Sequence, residues 1–295
     1  MTSTPQFHGI IAYPVTPFLP DDTVDTDRLA ELVSRLVEDG AHAIAPLGST
    51  GESAYLEERE FDAVVDTTIA AVNKRVPVIV GASDLTTANT VRRARHAQQA
   101  GADAVMVLPV SYWKLSDREI AQHYASVAAA IDIPLMAYNN PATSGVDMKP
   151  ELLVSMFGDI DNFTMVKEST GDLNRMLEIK RLTDGRLPFY NGSNPLVLDA
   201  LNVGASGWCT AAPCLAPQPC LDLYEAVRAG RDEDAASLYT ALKPLLQFIV
   251  AGGLPTTVKA GLELQGRPVG DPRRPLLPLD PEGRETLKDI LASTP

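Results

Sequence analysis

The sequence predicts a (β/α)8 TIM barrel with a C-terminal helical appendage, and three observations predict it. Short runs rich in Val, Ile and Ala alternate with longer stretches of helical period from about residue 9 to about residue 230, giving eight units. The strand runs are apolar throughout, as in a parallel sheet covered by helices. An open dinucleotide-binding sheet would show GxGxxG after an early strand, and none follows the first or second strand here. The length of 295 residues suits one such barrel, which needs about 250 residues, plus an appendage.

In chain order the predicted strands are 9–15, 42–47, 76–81, 103–108, 133–138, 163–167, 187–191 and 207–210. A helix candidate follows each. In the first, Leu29, Leu32, Val33, Leu36 and Val37 recur at spacings of three and four, while Asp27, Glu31, Arg35 and Glu38 fall between them. Thr26 or Asp25 caps its start, Gly40 stops it where a left-handed residue is needed, and Gly101 repeats that stop after the third helix. Beyond residue 230 the strand signal ends, and 232–249, 256–264 and 282–291 read as helices. Between the last two, 266–281 is proline-rich and reads as an extended connection. The expected organisation is a barrel over 1–230 and a helical region over 231–295.

The charge of −13 disfavours nucleic acid and anionic lipid as partners. Cys209, Cys214 and Cys220 lack paired CxxC spacing and a neighbouring histidine, so they read as small buried hydrophobes and no metal site is expected. The first eight residues show no basic stretch leading into an apolar run, and no segment approaches about 18 uninterrupted apolar residues. A cytoplasmic protein without membrane contact is expected.

In such barrels the reacting groups sit at the carboxyl ends of the strands. Lys167 closes the apolar run 163–166, which aims it into the barrel mouth. Burial disfavours an ammonium, and a neutral amine is what attack on a carbonyl requires. Position alone also allows a snorkelling lysine or one paired with Glu168. Tyr138 ends the fifth strand, where a phenol can pass a proton to a substrate or simply pack its ring. The loop GSTGE, 48–52, offers converging amides and the hydroxyls of Ser49 and Thr50 to a carboxylate, although a tight βα turn has the same composition.

Taken together, GSTGE (48–52), YNNPATSG (138–145), VKESTGD (166–172), the NGS turn (191–193) and VKAGLELQG (258–266) resemble the pyruvate-dependent class I aldolase superfamily. That superfamily includes N-acetylneuraminate lyase and dihydrodipicolinate synthase, and the resemblance covers essentially the whole chain. It implies that Lys167 forms a Schiff base with a 2-oxo acid, Tyr138 relays protons, and Ser49 and Thr50 hold the carboxylate. It implies no cofactor. Tyr112, in LPVSYWKL (108–115), matches a tyrosine that completes a hydroxyl relay with Ser49 and Tyr138 from a neighbouring subunit, which implies a homotetramer built as a dimer of dimers. Gly192, Thr143, Ser169, Ser193, Asn194 and Cys209 are further candidates for contacting the small-molecule substrate, with Trp113 beside them.

Departures from the family pattern narrow the substrate. Dihydrodipicolinate synthases typically carry an arginine for a second carboxylate where this chain has Thr143, and a hydroxyl is a much weaker partner for that group. The acidic pair with which sialic acid lyases bind sugar hydroxyls corresponds to Asn194 and Pro195, and their serine after the eighth strand to Ala211. The leading expectation is aldol cleavage or condensation of a 2-keto-3-deoxy sugar acid or 4-hydroxy-2-oxo acid, with pyruvate as product or donor. Alternatives are dehydration or deamination through the same imine, dihydrodipicolinate synthesis, a non-catalytic 2-oxo acid sensor on the same fold, and a phosphate-binding barrel enzyme. For the last, 204–213 carries too little basic charge.

Overall fold

The structure, a computed structural model, describes residues 7–294. Its strands are β1 (Gly9–Ala12), β2 (Ala43–Ile44), β3 (Ile79–Gly81), β4 (Ala104–Val107), β5 (Leu135–Asn139), β6 (Phe163–Glu168), β7 (Phe189–Asn191) and β8 (Gly207–Thr210). They pair in parallel in the order β2-β1-β8-β7-β6-β5-β4-β3, and an isolated parallel bridge between Ile44 and Val78 joins the two ends. Helices follow the strands on the outside, so the chain is a TIM barrel with further helices at its C-terminus.

Several strands are shorter than the apolar runs that predict them, and proline accounts for it. β1 stops before Pro14 and β2 before Pro46, while β3, β5 and β7 begin only after Pro77, Pro134 and Pro188. Proline has no N–H to give to a ladder. It still accepts: the carbonyls of Pro77, Pro134 and Pro188 receive the N–H groups of Ile44, Val105 and Val166. At their far ends β5 and β6 run one residue beyond expectation, to Asn139 and Glu168.

The helix Thr26–Glu38 buries Leu29, Leu32, Val33 and Leu36, and Asp25 rather than Thr26 caps it, its side chain accepting from the Arg28 N–H. Gly101 takes a left-handed conformation at the end of Thr87–Ala100, as expected. The C-terminal helices are Asp232–Ala251, Leu254–Leu264 and Pro281–Ser293. The last two start earlier than predicted because Pro255 and Pro281 occupy first-turn positions, where a missing N–H forfeits no helical bond. The helix Leu254–Leu264 lies against the turn Ser49–Gly51 that follows β2. All three cysteines are buried and free. Among the described residues no helix is long and apolar enough to cross a membrane.

Candidate active site

β5 and β6 carry the centre of the site. Their parallel register sets Tyr138 directly opposite Lys167 and Asn139 opposite Glu168. Successive residues of a strand face opposite sides, so one member of each neighbouring pair points into the barrel and the other toward the helices. Lys167 is only 5% exposed, and its Nζ lies 3.9 Å from the centroid of the Tyr138 ring and 3.8 Å from that of Tyr13, which follows β1. Glu168 points the other way: it accepts from Asn139 Nδ2 at 3.0 Å and Thr170 N at 2.7 Å, and Arg175 Nε approaches at 3.4 Å. The sequence alternative that paired Lys167 with Glu168 is therefore not realised. Among the described residues Lys167 forms no ion pair.

Tyr138 is buried, and its hydroxyl accepts from Asn140 Nδ2 at 2.8 Å. Burial alone would raise this phenol, but the Lys167 ammonium, the Asn140 amide and the nearby Ser49 hydroxyl outweigh it and hold the group below the usual value. A phenol tuned downward by a neighbouring cation suits proton transfer. Ser49 opens the short turn Ser49–Gly51, in which Thr50 is buried. The next residue, Glu52, adopts a left-handed φ of 56°, a strained position for a side chain with a Cβ. Its carboxylate is locked by Lys259 Nζ at 2.7 Å and the Arg273 N–H at 2.7 Å, both from the C-terminal region. Lys259 is almost fully buried, as is Glu52, so the tail supplies the counter-ion beneath the hydroxyl loop.

Gly192 follows β7 directly, and its lack of a side chain makes room for the lysine. A Cβ there would sit 1.8 Å from Ser169 Oγ and 2.8 Å from Lys167 Cε. Ser169 Oγ is buried near the Tyr138 hydroxyl, which it helps to hold below the usual value, and it completes no hydrogen bond of normal geometry among the described residues. Gly192→Ala is expected to lower kcat by about a hundredfold while the thermal midpoint stays close to that of the parent, because it displaces the reacting groups by a fraction of an ångström to one ångström. Steady-state kinetics beside a melting curve check this.

A cavity of about 480 Å³ opens above these groups, lined by Ser49, Glu52, Tyr138, Thr143, Met106, Arg93, Asp84, Leu254, Pro255 and Leu276 among others. Tyr138 belongs both to this wall and to the surroundings of Lys167, so the phenol stands between cavity and amine. The charges of the wall are matched: Arg93 pairs with Asp84 at 3.2 Å, and Glu52 with Lys259.

The other predicted residues divide. Thr143 stands in the cavity wall, on the short helix Pro141–Ser144. Cys209 is the penultimate residue of β8, beside Tyr13, its thiol pushed up by burial although Lys167 pulls the other way. Ser193 lies in a turn closed by Asn191, whose side chain bonds the Ser193 backbone on both sides. Asn194 is buried, and its Oδ1 already accepts from Trp208 Nε1 at 3.2 Å and Thr210 Oγ1 at 2.8 Å, a structural role that competes with the expected substrate contact. Tyr112 and Trp113 are 96% and 78% exposed and do not line the cavity of their own chain. Sequence reasoning missed Tyr13 and the Glu52–Lys259 pair. Tyr13 escapes an inspection of strand ends because the predicted first strand runs to 15, whereas β1 stops at Ala12, ahead of Pro14.

Fold and site together define an enzyme of the class I, lysine Schiff-base aldolases and lyases. The chain belongs to the dihydrodipicolinate synthetase family, whose model matches residues 6–294. It is 35% identical to the 4-hydroxy-tetrahydrodipicolinate synthase of Syntrophus aciditrophicus over 285 residues, 97% of each chain. A crystal structure from Pseudomonas aeruginosa described as a "putative dihydrodipicolinate synthetase" is 54% identical, with a TM-score of 0.97 over 98% of this chain and 100% of that one. YagE, a prophage protein of the dihydrodipicolinic acid synthase family from E. coli K12 solved in complex with pyruvate, is 29% identical, with a TM-score of 0.92 over 98% of each chain.

Proposed function

We propose that Lys167 condenses with the ketone of a 2-oxo acid and that the enzyme cleaves or forms the adjacent carbon–carbon bond of a 2-keto-3-deoxy sugar acid or 4-hydroxy-2-oxo acid. The neutral amine adds to C2, water leaves, and the resulting protonated imine draws electrons from its neighbours. As the C3–C4 bond breaks, its electron pair enters the imine system as an enamine, and the C4 hydroxyl proton passes to Tyr138, which starts the cycle protonated and has by then given its own proton to the departing water. The aldehyde departs, C3 is reprotonated, and water releases pyruvate. Ser49 and Thr50 hold the carboxylate, and no cofactor enters the cycle.

The observation that carries the substrate class is the wall around Thr143. Arg93 is paired with Asp84 and Glu52 with Lys259, which lies outside the wall, leaving hydroxyl and apolar surface for the distal part of the substrate. A second carboxylate would enter without a free counter-charge. A second reading, 4-hydroxy-tetrahydrodipicolinate synthesis, is favoured by the names of the curated relatives. YagE's complex supports pyruvate as the shared component of both. Dehydration or deamination through the same imine would use the same amine and phenol.

A panel assay separates them. Pyruvate release from 2-keto-3-deoxy acids is expected, with weak or no pyruvate consumption alongside an aldehyde that carries its own carboxylate; the reverse pattern would establish the second reading. The exposure of Tyr112 and Trp113 supports a homotetramer in which Tyr112 of a neighbouring copy joins Ser49 and Tyr138. A fully active monomer in sedimentation would remove Tyr112 from the site. The division into a barrel, 1–230, and a helical region, 231–295, is part of the same reading.

A further inference from the structure

We infer that Tyr13 is a further residue of the imine centre, its ring and that of Tyr138 forming a two-faced aromatic clamp on the Lys167 nitrogen that stabilises the iminium. This inference rests on the reading of Lys167 as the Schiff-base residue and extends it to what balances the positive charge. A nitrogen this deeply buried ordinarily keeps a carboxylate beside it when cationic. Lys167 has no such partner among the described residues. What it has instead are two ring faces, with centroids 3.8 Å and 3.9 Å from Nζ, well inside the distance at which the negative face of an aromatic ring attracts a cation.

The Tyr13 ring is held in that pose from three sides. Its hydroxyl donates to Met106 Sδ at 3.1 Å, and Cys209 of β8 lies against it. On the loop side Gly48 leaves the space: a Cβ there would come within 2.8 Å of Tyr13 Cδ1. The ring thus fills the gap between the hydroxyl loop and the amine, and the glycine that opens GSTGE is required by the tyrosine that follows β1.

The two tyrosines have different tasks. Burial, and secondarily Cys209, drives the Tyr13 phenol well above its ordinary value, so it keeps its proton throughout the working range. Tyr138 is shifted the opposite way. Tyr138 therefore moves protons and presents a ring face, whereas Tyr13 presents a ring face alone. The clamp acts on the step in which the neutral carbinolamine takes a proton from Tyr138 and loses its hydroxyl as water, the point at which the nitrogen acquires a permanent positive charge.

The test replaces Tyr13 in the full chain with phenylalanine and then with difluoro- and trifluorophenylalanine, which drain the ring face of electron density at nearly constant shape. The imine dissociation constant for pyruvate is read by borohydride trapping across a pyruvate titration, with the thermal midpoint measured on each sample. Phenylalanine is expected to stay within about twofold of tyrosine, and fluorination to weaken the imine stepwise by about tenfold in total, the span of a desolvated cation–ring contact. Tyr13→Leu should be as weak or weaker. Equal trapping by phenylalanine and trifluorophenylalanine would reduce Tyr13 to packing and overturn the clamp. Absence of any adduct in the unaltered protein would instead defeat the reading of Lys167, a separate outcome.

Discussion

Replacing Lys167 with alanine is expected to lower turnover by at least about four orders of magnitude and to abolish the pyruvate adduct formed in borohydride, the scale of loss that follows removal of a covalent nucleophile. The fold leaves little competition for the role. Lys259 is the other lysine buried close to the hydroxyl loop, but Glu52 at 2.7 Å and the Asp271 carbonyl at 3.0 Å occupy its donors. Among the described residues Lys167 carries no such engagement, and the strand register brings Tyr138 alongside it. Lys167→Arg should fail as completely as alanine, because a guanidinium keeps the charge and offers no nucleophilic lone pair. An adduct surviving in Lys167→Ala, mapped by peptide mass analysis, would move the chemistry elsewhere.

The second large effect is expected from Tyr138→Phe, with kcat falling by about 10² to 10⁴, the range for loss of a general acid–base. The adduct should persist, since the ring face beside Lys167 is retained. The pH profile gives an independent reading. The Tyr138 phenol lies below the usual tyrosine value because Lys167, Asn140 and Ser49 together outweigh its burial. Activity that needs the protonated phenol is present below that value and is lost as pH rises through it, so the alkaline limb should fall at lower pH than an ordinary phenol would give. The phenylalanine variant should lose that limb. An unchanged alkaline limb in the variant would assign it to another group.

Much of this was visible in the amino-acid order. Eight apolar runs marked the strands, and their carboxyl ends marked Lys167, Tyr138 and the hydroxyl loop, because a parallel barrel leaves few other places for such residues. Strand limits were less visible: periodicity reports which residues are buried, whereas a ladder also needs donors, which Pro14, Pro46, Pro77, Pro134 and Pro188 lack. Contacts between distant segments were hidden altogether. Glu52 and Lys259 each stood in a recognised motif, yet nothing in either motif says that they meet. Asn194 shows the converse, a residue correctly placed near β7 whose amide oxygen the indole of Trp208 and the hydroxyl of Thr210 had already taken. In a loop, unlike a strand, position along the chain does not fix direction.

The buried pair between Glu52 and Lys259 bears on what can be cut from this enzyme. Trimming the chain after β8 would leave a barrel complete in its strands but with an orphan carboxylate lodged beneath the turn Ser49–Gly51, on a residue held at a left-handed backbone angle. The last helices are accordingly no dispensable ornament, and a minimal version of the catalyst must keep them or redesign that acid out.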